Sequence, residues 1–314
     1  MKAWQYIGDH LPITLNEIDE PVAGPGDVVI DVKGSGICHS DIGMLDGTIS
    51  HFLAFTPITL GHEIAGVVRE VGERVTDFVV GDRVAACATV HSPGTGRDGG
   101  FQPRVAVQAE VLVKVPDGVP WDQAAVSTDA GTTSYHAVMS RAETKAGDRI
   151  GIIGFGGLGS LGAHAALHAG AEVYVAETNV ALHAKILGAG INDVSASIRD
   201  FKDVSLDAIV DFAGFGTTTA DAVETVKPGG RVVQVGLAER YGTLDLVTLS
   251  MSEIVLMGST GGTNQDNADV LELMARGVLR SETECIRFQD IGDAIGRLRR
   301  GENTGRFAIL YDEE

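Results

Sequence analysis

Residues 148–159 read Asp148-Arg149-Ile150-Gly151-Ile152-Ile153-Gly154-Phe155-Gly156-Gly157-Leu158-Gly159. A short apolar run ends in a GxGxxG turn, and an Ala-rich stretch from Leu158 to Ala169 follows it. Gly-rich turns are common, so the pattern by itself is weak. Between a strand and a helix it has the context that a dinucleotide site needs. Gly154 makes the tight turn, Gly156 lets the backbone approach a pyrophosphate, and Gly159 lets the helix pack close to the strand. Gly157 and Leu158 complete the turn, and the phosphates meet the helix N-terminus. The next strand is Glu172-Val173-Tyr174-Val175-Ala176. Strand, helix and strand at this spacing form a βαβ unit, hence a parallel sheet. Further strands are expected at Ala208–Phe212, Arg231–Val235 and Ile254–Met257, making a doubly wound domain.

Glu177 follows the second strand, 18 residues after Gly159. A carboxylate there accepts hydrogen bonds from the adenosine ribose hydroxyls and repels a 2′-phosphate. Thr178, Asn179 and Val180 come next, with no arginine to welcome that phosphate. The reading is NAD rather than NADP, against the blander one of a surface glutamate beside a structural turn. Ala213, Gly236 and Leu237, just past two later strands, are further expected cofactor contacts.

On the N-terminal side the pattern changes. Val28-Val29-Ile30-Asp31-Val32 and Ala65-Gly66-Val67-Val68-Arg69-Glu70-Val71 are β-branched runs bounded by Gly and Pro. They suggest a mostly-β domain, in part a closed barrel. A helical stretch opens at Pro120-Trp121 and runs past His136, with a break expected at Gly131. Beyond Gly262, a helix over Asn267–Arg276 and a final strand at Arg306–Leu310 form a tail too short to stand by itself.

Composition sets the outer limits. The 314 residues suggest two domains. A net charge of −19 argues against nucleic acid or an anionic membrane as partner. Three cysteines, Cys38, Cys87 and Cys285, make a poor disulfide framework and suit a reducing compartment. No signal segment or membrane span is seen, so a cytoplasmic location is expected.

Cys38-His39-Ser40-Asp41 follows a strand, Gly61-His62-Glu63 precedes another, and Asp129 lies in the helical stretch. Thiolate, imidazole and carboxylate are competent zinc ligands, and a catalytic zinc takes three and keeps a fourth position open. By spacing, residues so scattered read more simply as a buried thiol, a core histidine and a helix cap.

GDVVIDVKGSGICHSD, TPITLGHEIAGVVREVG, GDRV, TDAGTTSYHA, the glycine turn and KPGGRVVQVG together resemble the zinc-dependent medium-chain alcohol dehydrogenases. The resemblance covers nearly the whole chain. It implies an α/β plus mostly-β fold: a GroES-like catalytic domain at 1–130 and 261–314, with a Rossmann dinucleotide-binding domain at 131–260. It implies hydride transfer between an alcohol, or its aldehyde or ketone, and NAD, which the Rossmann domain holds next to the metal. Cys38, His62 and Asp129 match the catalytic zinc ligands, with Asp129 where many members have Cys. Glu63 matches a glutamate that can approach the metal. Asp41 matches the carboxylate that orients a ligand histidine, and Ser40 the hydroxyl that takes the substrate's proton. His39 and Arg306 match cations near the cofactor.

Two departures stand out. After GDRV, where many members carry four cysteines on a structural zinc, this chain has Cys87, His91 and a Gly-rich loop. One catalytic Zn2+ per subunit and no structural zinc are therefore expected, with a shortened lobe. The relay histidine five residues after the ligand cysteine is replaced by Gly43. His51 is nearby in sequence and reads as an exposed loop residue. Ile49, Phe52, Leu53 and Phe55 form an apolar patch that lines a substrate pocket or is a buried loop, and no Lys or Arg lies among them, favouring neutral substrates. The rival readings are a zinc-free quinone or enone reductase of the same superfamily and a non-catalytic dinucleotide-binding protein. A homodimer or homotetramer is expected, with the last Rossmann strand at an edge that invites pairing.

Overall fold

A computed structural model of the chain describes residues 1–89, 93–303 and 305–311; His91 lies outside them. The chain divides into two compact units, Met1–Thr132 with Thr263–Glu314, and Thr133–Gly262.

The first unit is mostly β. Its main sheet runs Thr283–Arg287, Arg306–Leu310, Asp27–Ile37, Glu63–Val71, Arg83–Ala86, Leu112–Lys114, and Arg104–Gln108 also pairs with Asp27–Ile37. A smaller antiparallel sheet joins Thr14–Glu17, Lys2–Tyr6 and Ile58–Thr59. Val28, Ile30 and Val32 recur with the period of two that a strand imposes, and they share a core with Ile64, Val68, Val84 and Val105. A second core joins Ile37, Ile58 and Phe101 to Ile291, Ile295, Leu298 and Phe307. The tail therefore buries its apolar side chains against the N-terminal segment, each such burial worth roughly 1.5–3 kcal/mol. The helix Ile291–Arg299 does this with Ile291, Ala294, Ile295 and Leu298, a helical stripe.

The second unit is a six-stranded, all-parallel sheet. Its order is Asp193–Ser195, Glu172–Ala176, Arg149–Ile153, Ala208–Asp211, Arg231–Gln234, Val255–Gly258. Counted along this unit the strands lie 3-2-1-4-5-6, the doubly wound order, and the order reverses between Arg149–Ile153 and Ala208–Asp211. Both faces are covered. Ile150, Ile152, Val173 and Val210 pack on one side, and Ile153, Ile209 and Val232 on the other.

Gly131 does not break the helical stretch. An α-helix at Trp121–Val126 passes into a π turn at Ser127–Gly131, a further α turn at Thr132–Tyr135 and a second π turn at His136–Arg141. A Cβ on Gly131 would stand 2.7 Å from Val270 Cγ1. The glycine makes room for the helix Asn264–Ala275 rather than ending its own. That helix begins three residues earlier than the expected Asn267, because Thr263 caps it. Thr263 Oγ1 accepts from the Asp266 amide at 3.1 Å, and Asp266 Oδ2 accepts from the Thr263 amide at 2.8 Å.

Candidate active site and dinucleotide site

Strand register assembles the first site. Gly36 pairs with Glu63 on one side of Asp27–Ile37, and Ile37 pairs with Phe307 on the other. Cys38, His62 and Arg306 are thus brought to one end of three adjacent strands. Gly36 is required there: a Cβ would fall 1.6 Å from Glu63 Oε2. Asp129 arrives from the π turn Ser127–Gly131. Such turns re-aim side chains relative to a regular helix and are frequent at functional sites.

One donor atom each from Cys38, His62 and Asp129 lies within 4.8 Å of the others. His62 Nε2 and Asp129 Oδ2 stand 3.6 Å apart, too far for a hydrogen bond. At zinc–ligand bonds of about 2.0–2.3 Å, neighbouring ligands of a tetrahedral ion stand roughly 3.3–3.8 Å apart. The donor set and this spacing fit a zinc ion. The other ring nitrogen, Nδ1, faces buried Asp41 Oδ1 at 3.4 Å, and neither atom has a hydrogen-bond partner among the described residues. Asp41 Oδ2 accepts from the Cys38 amide at 2.8 Å, so one carboxylate touches the Cys38 backbone and faces the His62 ring. A carboxylate placed behind a histidine ring in this way is a common means of orienting a ligand imidazole.

Charge is concentrated here. Burial opposes charging of the His62 ring, but the Asp41 carboxylate and contacts to Asp129 hold its pKa well above the ordinary value. Burial likewise raises Asp129, yet His62 and Arg306 hold it well below the usual carboxylate range. Burial pushes Glu63 up to about 7 against the pull of Arg306. Glu63 stands outside the three-donor group. Its Oε1 and Oε2 lie 2.5 and 3.0 Å from Arg306 Nη2 and Nε. Arg306 also reaches Asp129 Oδ2 at 3.0 Å and is buried. The sequence reading took Arg306 as a cofactor contact and missed both of these partners. Ser40 Oγ is 3.5 Å from Cys38 Sγ. His39 opens the helix His39–Leu45 with its side chain exposed, within electrostatic reach of Arg306. Phe52 and Phe55 are exposed, whereas Ile49 and Leu53 pack against the core. Cys87 is buried, and burial pushes its thiol up to about 11.

The second site lies in the Thr133–Gly262 unit, where the strand order reverses. Gly154 has φ +85° at the turn. A Cβ on Gly159 would be 1.9 Å from the Gly154 carbonyl oxygen, while one on Gly156 would meet nothing within 4 Å. The first constraint is packing; the second leaves open space beside the turn, as a pyrophosphate needs. Leu158 precedes the helix Gly159–His168, and Gly157 lies in the same turn. Glu177 Oε2 accepts from the Phe155 amide at 2.9 Å and Oε1 from the Asn179 amide at 2.8 Å. A cavity of 120 Å³ joins Gly154, Glu177, Thr178, Ile198, Ala213 and Phe215. Gly236 is in close contact with Ala213, and Leu237 is 82% exposed. The residues fit a dinucleotide.

Two family models match this chain, the alcohol dehydrogenase GroES-like domain over residues 24–117 and the zinc-binding dehydrogenase over residues 157–276. The chain belongs to the medium-chain dehydrogenase/reductase family of alcohol dehydrogenases. It is an oxidoreductase of the alcohol dehydrogenase type. A probable cinnamyl alcohol dehydrogenase 3 of Oryza sativa subsp. japonica is 29% identical, over 91% of this chain and 86% of its own. An alcohol dehydrogenase of Geobacillus stearothermophilus is 27% identical, over 96% of this chain and 97% of its own. Among solved structures, an acetophenone reductase from Geotrichum candidum in complex with NAD is similar with a TM-score of 0.88 and 29% identity, over 99% of this chain and 97% of that one.

Proposed function

We propose that this chain interconverts small neutral alcohols with their aldehydes or ketones, using one catalytic zinc per subunit and NAD as the hydride carrier. The meeting of Cys38, His62 and Asp129 within 4.8 Å carries this reading. A zinc-free reductase has no use for those three donors in one place. Zinc, when bound, supplies Lewis-acid polarisation of the substrate oxygen. NAD, when bound, supplies the hydride acceptor. The chain's own groups do the rest. Asp41 holds the His62 ring so that Nε2 stays free as a ligand. Ser40 Oγ takes the alcohol proton, and with Gly43 in place of a relay histidine that proton passes to water. Gly156 admits the pyrophosphate, and Glu177 exchanges its backbone contacts for the ribose hydroxyls. No second metal is part of this proposal, since Cys87 and His91 after GDRV are too few for a closed tetrahedral site. The test is a panel of alcohols and carbonyls run with NAD and NADP in parallel, zinc being measured on the same sample. Protein that is pure, active and free of zinc would overturn the reading.

Glu177 carries the cofactor preference. Hydrogen bonds to a charged group contribute roughly 1.5–3 kcal/mol. Glu177→Ala is therefore expected to weaken NAD binding about 10- to 100-fold while leaving NADP little changed. An unaltered ratio of the two dissociation constants rules this role out.

The self-association surface is the last strand of the parallel sheet. Val255–Gly258 is an edge, and the helix Leu246–Met251 beside it leaves Leu246, Val247 and Met251 exposed. Unpaired edges with apolar neighbours are templates for a second copy. No described helix is long and apolar enough to cross a membrane, so a bilayer-spanning helix does not account for this patch. Sedimentation should give at least a dimer, with Met251→Lys shifting it toward monomer; a monomeric wild type excludes the surface.

A further inference from the structure

We propose that Arg306 is a positioning residue for the Asp129 carboxylate, and that it governs how firmly the Cys38–His62–Asp129 site retains its metal. This rests on the zinc reading above. Arg306 begins the strand Arg306–Leu310, whose pairing with Asp27–Ile37 delivers its guanidinium to the site. The side chain is 7% exposed. Nη2 reaches Asp129 Oδ2 at 3.0 Å, the same oxygen that stands 3.6 Å from His62 Nε2. The guanidinium is anchored in turn by both oxygens of Glu63, at 2.5 and 3.0 Å. Glu63 Oε1 also accepts from the Ala130 amide at 3.3 Å, so the residue after Asp129 is tied to the same pair.

Asp129 is thus held twice, through its carboxylate by Arg306 and through the next peptide by Glu63. The planar guanidinium fork suits this double duty, which a lysine's single ammonium does not match. Without Arg306, the Asp129 carboxylate loses the guanidinium that orients it, and Glu63 is left buried without its guanidinium partner. Groups that support a metal ligand typically contribute 10- to 100-fold in metal affinity.

The experiment measures zinc release to a chelator from the holoenzyme, with the visible spectrum of the Co2+-substituted protein as a second readout. Arg306→Gln is expected to release zinc 10- to 100-fold faster and to shift the Co2+ bands, with Arg306→Lys recovering little of the loss. Should the unpaired Glu63 prevent folding, Arg306→Gln combined with Glu63→Gln removes the stranded carboxyl and carries the same expectation. NAD affinity is measured on each variant. Wild-type zinc retention in the variants overturns the proposal, all the more if NAD binding weakens, since Arg306 would then be a cofactor contact. Absence of zinc from the wild type is a different result: it overturns the zinc reading itself.

Discussion

Cys38→Ala is expected to leave a folded protein that holds no zinc and turns over at least about 1,000-fold more slowly. Lewis-acid stabilisation of the developing charge is worth several kcal/mol, and each 1.36 kcal/mol is tenfold in rate. Removing one of three ligands leaves His62 and Asp129, too few for a retained catalytic ion. Cys38 is buried at the end of Asp27–Ile37 and contributes little volume to the core, so the circular dichroism spectrum should not change. NAD binding should persist, because the glycine turn and Glu177 belong to the other unit. Metal analysis, titration of NAD and steady-state rates on one preparation separate these effects. Undiminished alcohol oxidation by the variant would refute metal catalysis at this site.

A pair of glycine substitutions should have the next largest effect, and in two different directions. In Gly159→Ala the new Cβ lies 1.9 Å from the Gly154 carbonyl oxygen, so the turn must move. Overpacking of that kind costs on the order of 1–3 kcal/mol. The thermal midpoint should fall by several degrees, and NAD affinity should drop tenfold or more. In Gly156→Ala the new Cβ meets nothing within 4 Å. Stability without cofactor should stay within about 0.5 kcal/mol of wild type, as for an ordinary surface change, while NAD affinity still falls at least tenfold. Equal loss of stability in both variants, or unchanged NAD binding in Gly156→Ala, removes the distinction between a packing glycine and one that admits a ligand.

The parallel sheet was legible because its information is local. Ile150–Ile153 and Val173–Val175 are apolar runs, and the glycine turn between strand and helix admits few other readings. Strand ends were misjudged by a residue, as at Phe212. The ladder stops at Asp211, whose buried carboxylate accepts from the amides of Ala213 and Gly214 and turns the chain. Local signals for the helix Ile291–Arg299 and the Thr263 cap were present and went unused. The candidate metal site was not legible from spacing, since nothing local says that residues 38, 62 and 129 meet; the family resemblance supplied that expectation. Arg306 shows the limit most clearly. Its partners Asp129 and Glu63 lie 177 and 243 residues earlier, and only strand register brings them together.

That separation has a consequence for biosynthesis. The end of Asp27–Ile37 nearest Cys38, Gly34 to Ile37, pairs with Leu310 to Phe307. These partners are made some 270 residues later, and translation proceeds at about 5–20 residues per second. For tens of seconds the nascent chain carries Cys38 and His62 beside an unfilled strand position. Nascent chains stalled short of Arg306 should remain open to protease at Gly34–Ile37, and metal loading should follow the synthesis of Arg306–Leu310. The strand that completes the site is thus made long after the strand it closes against.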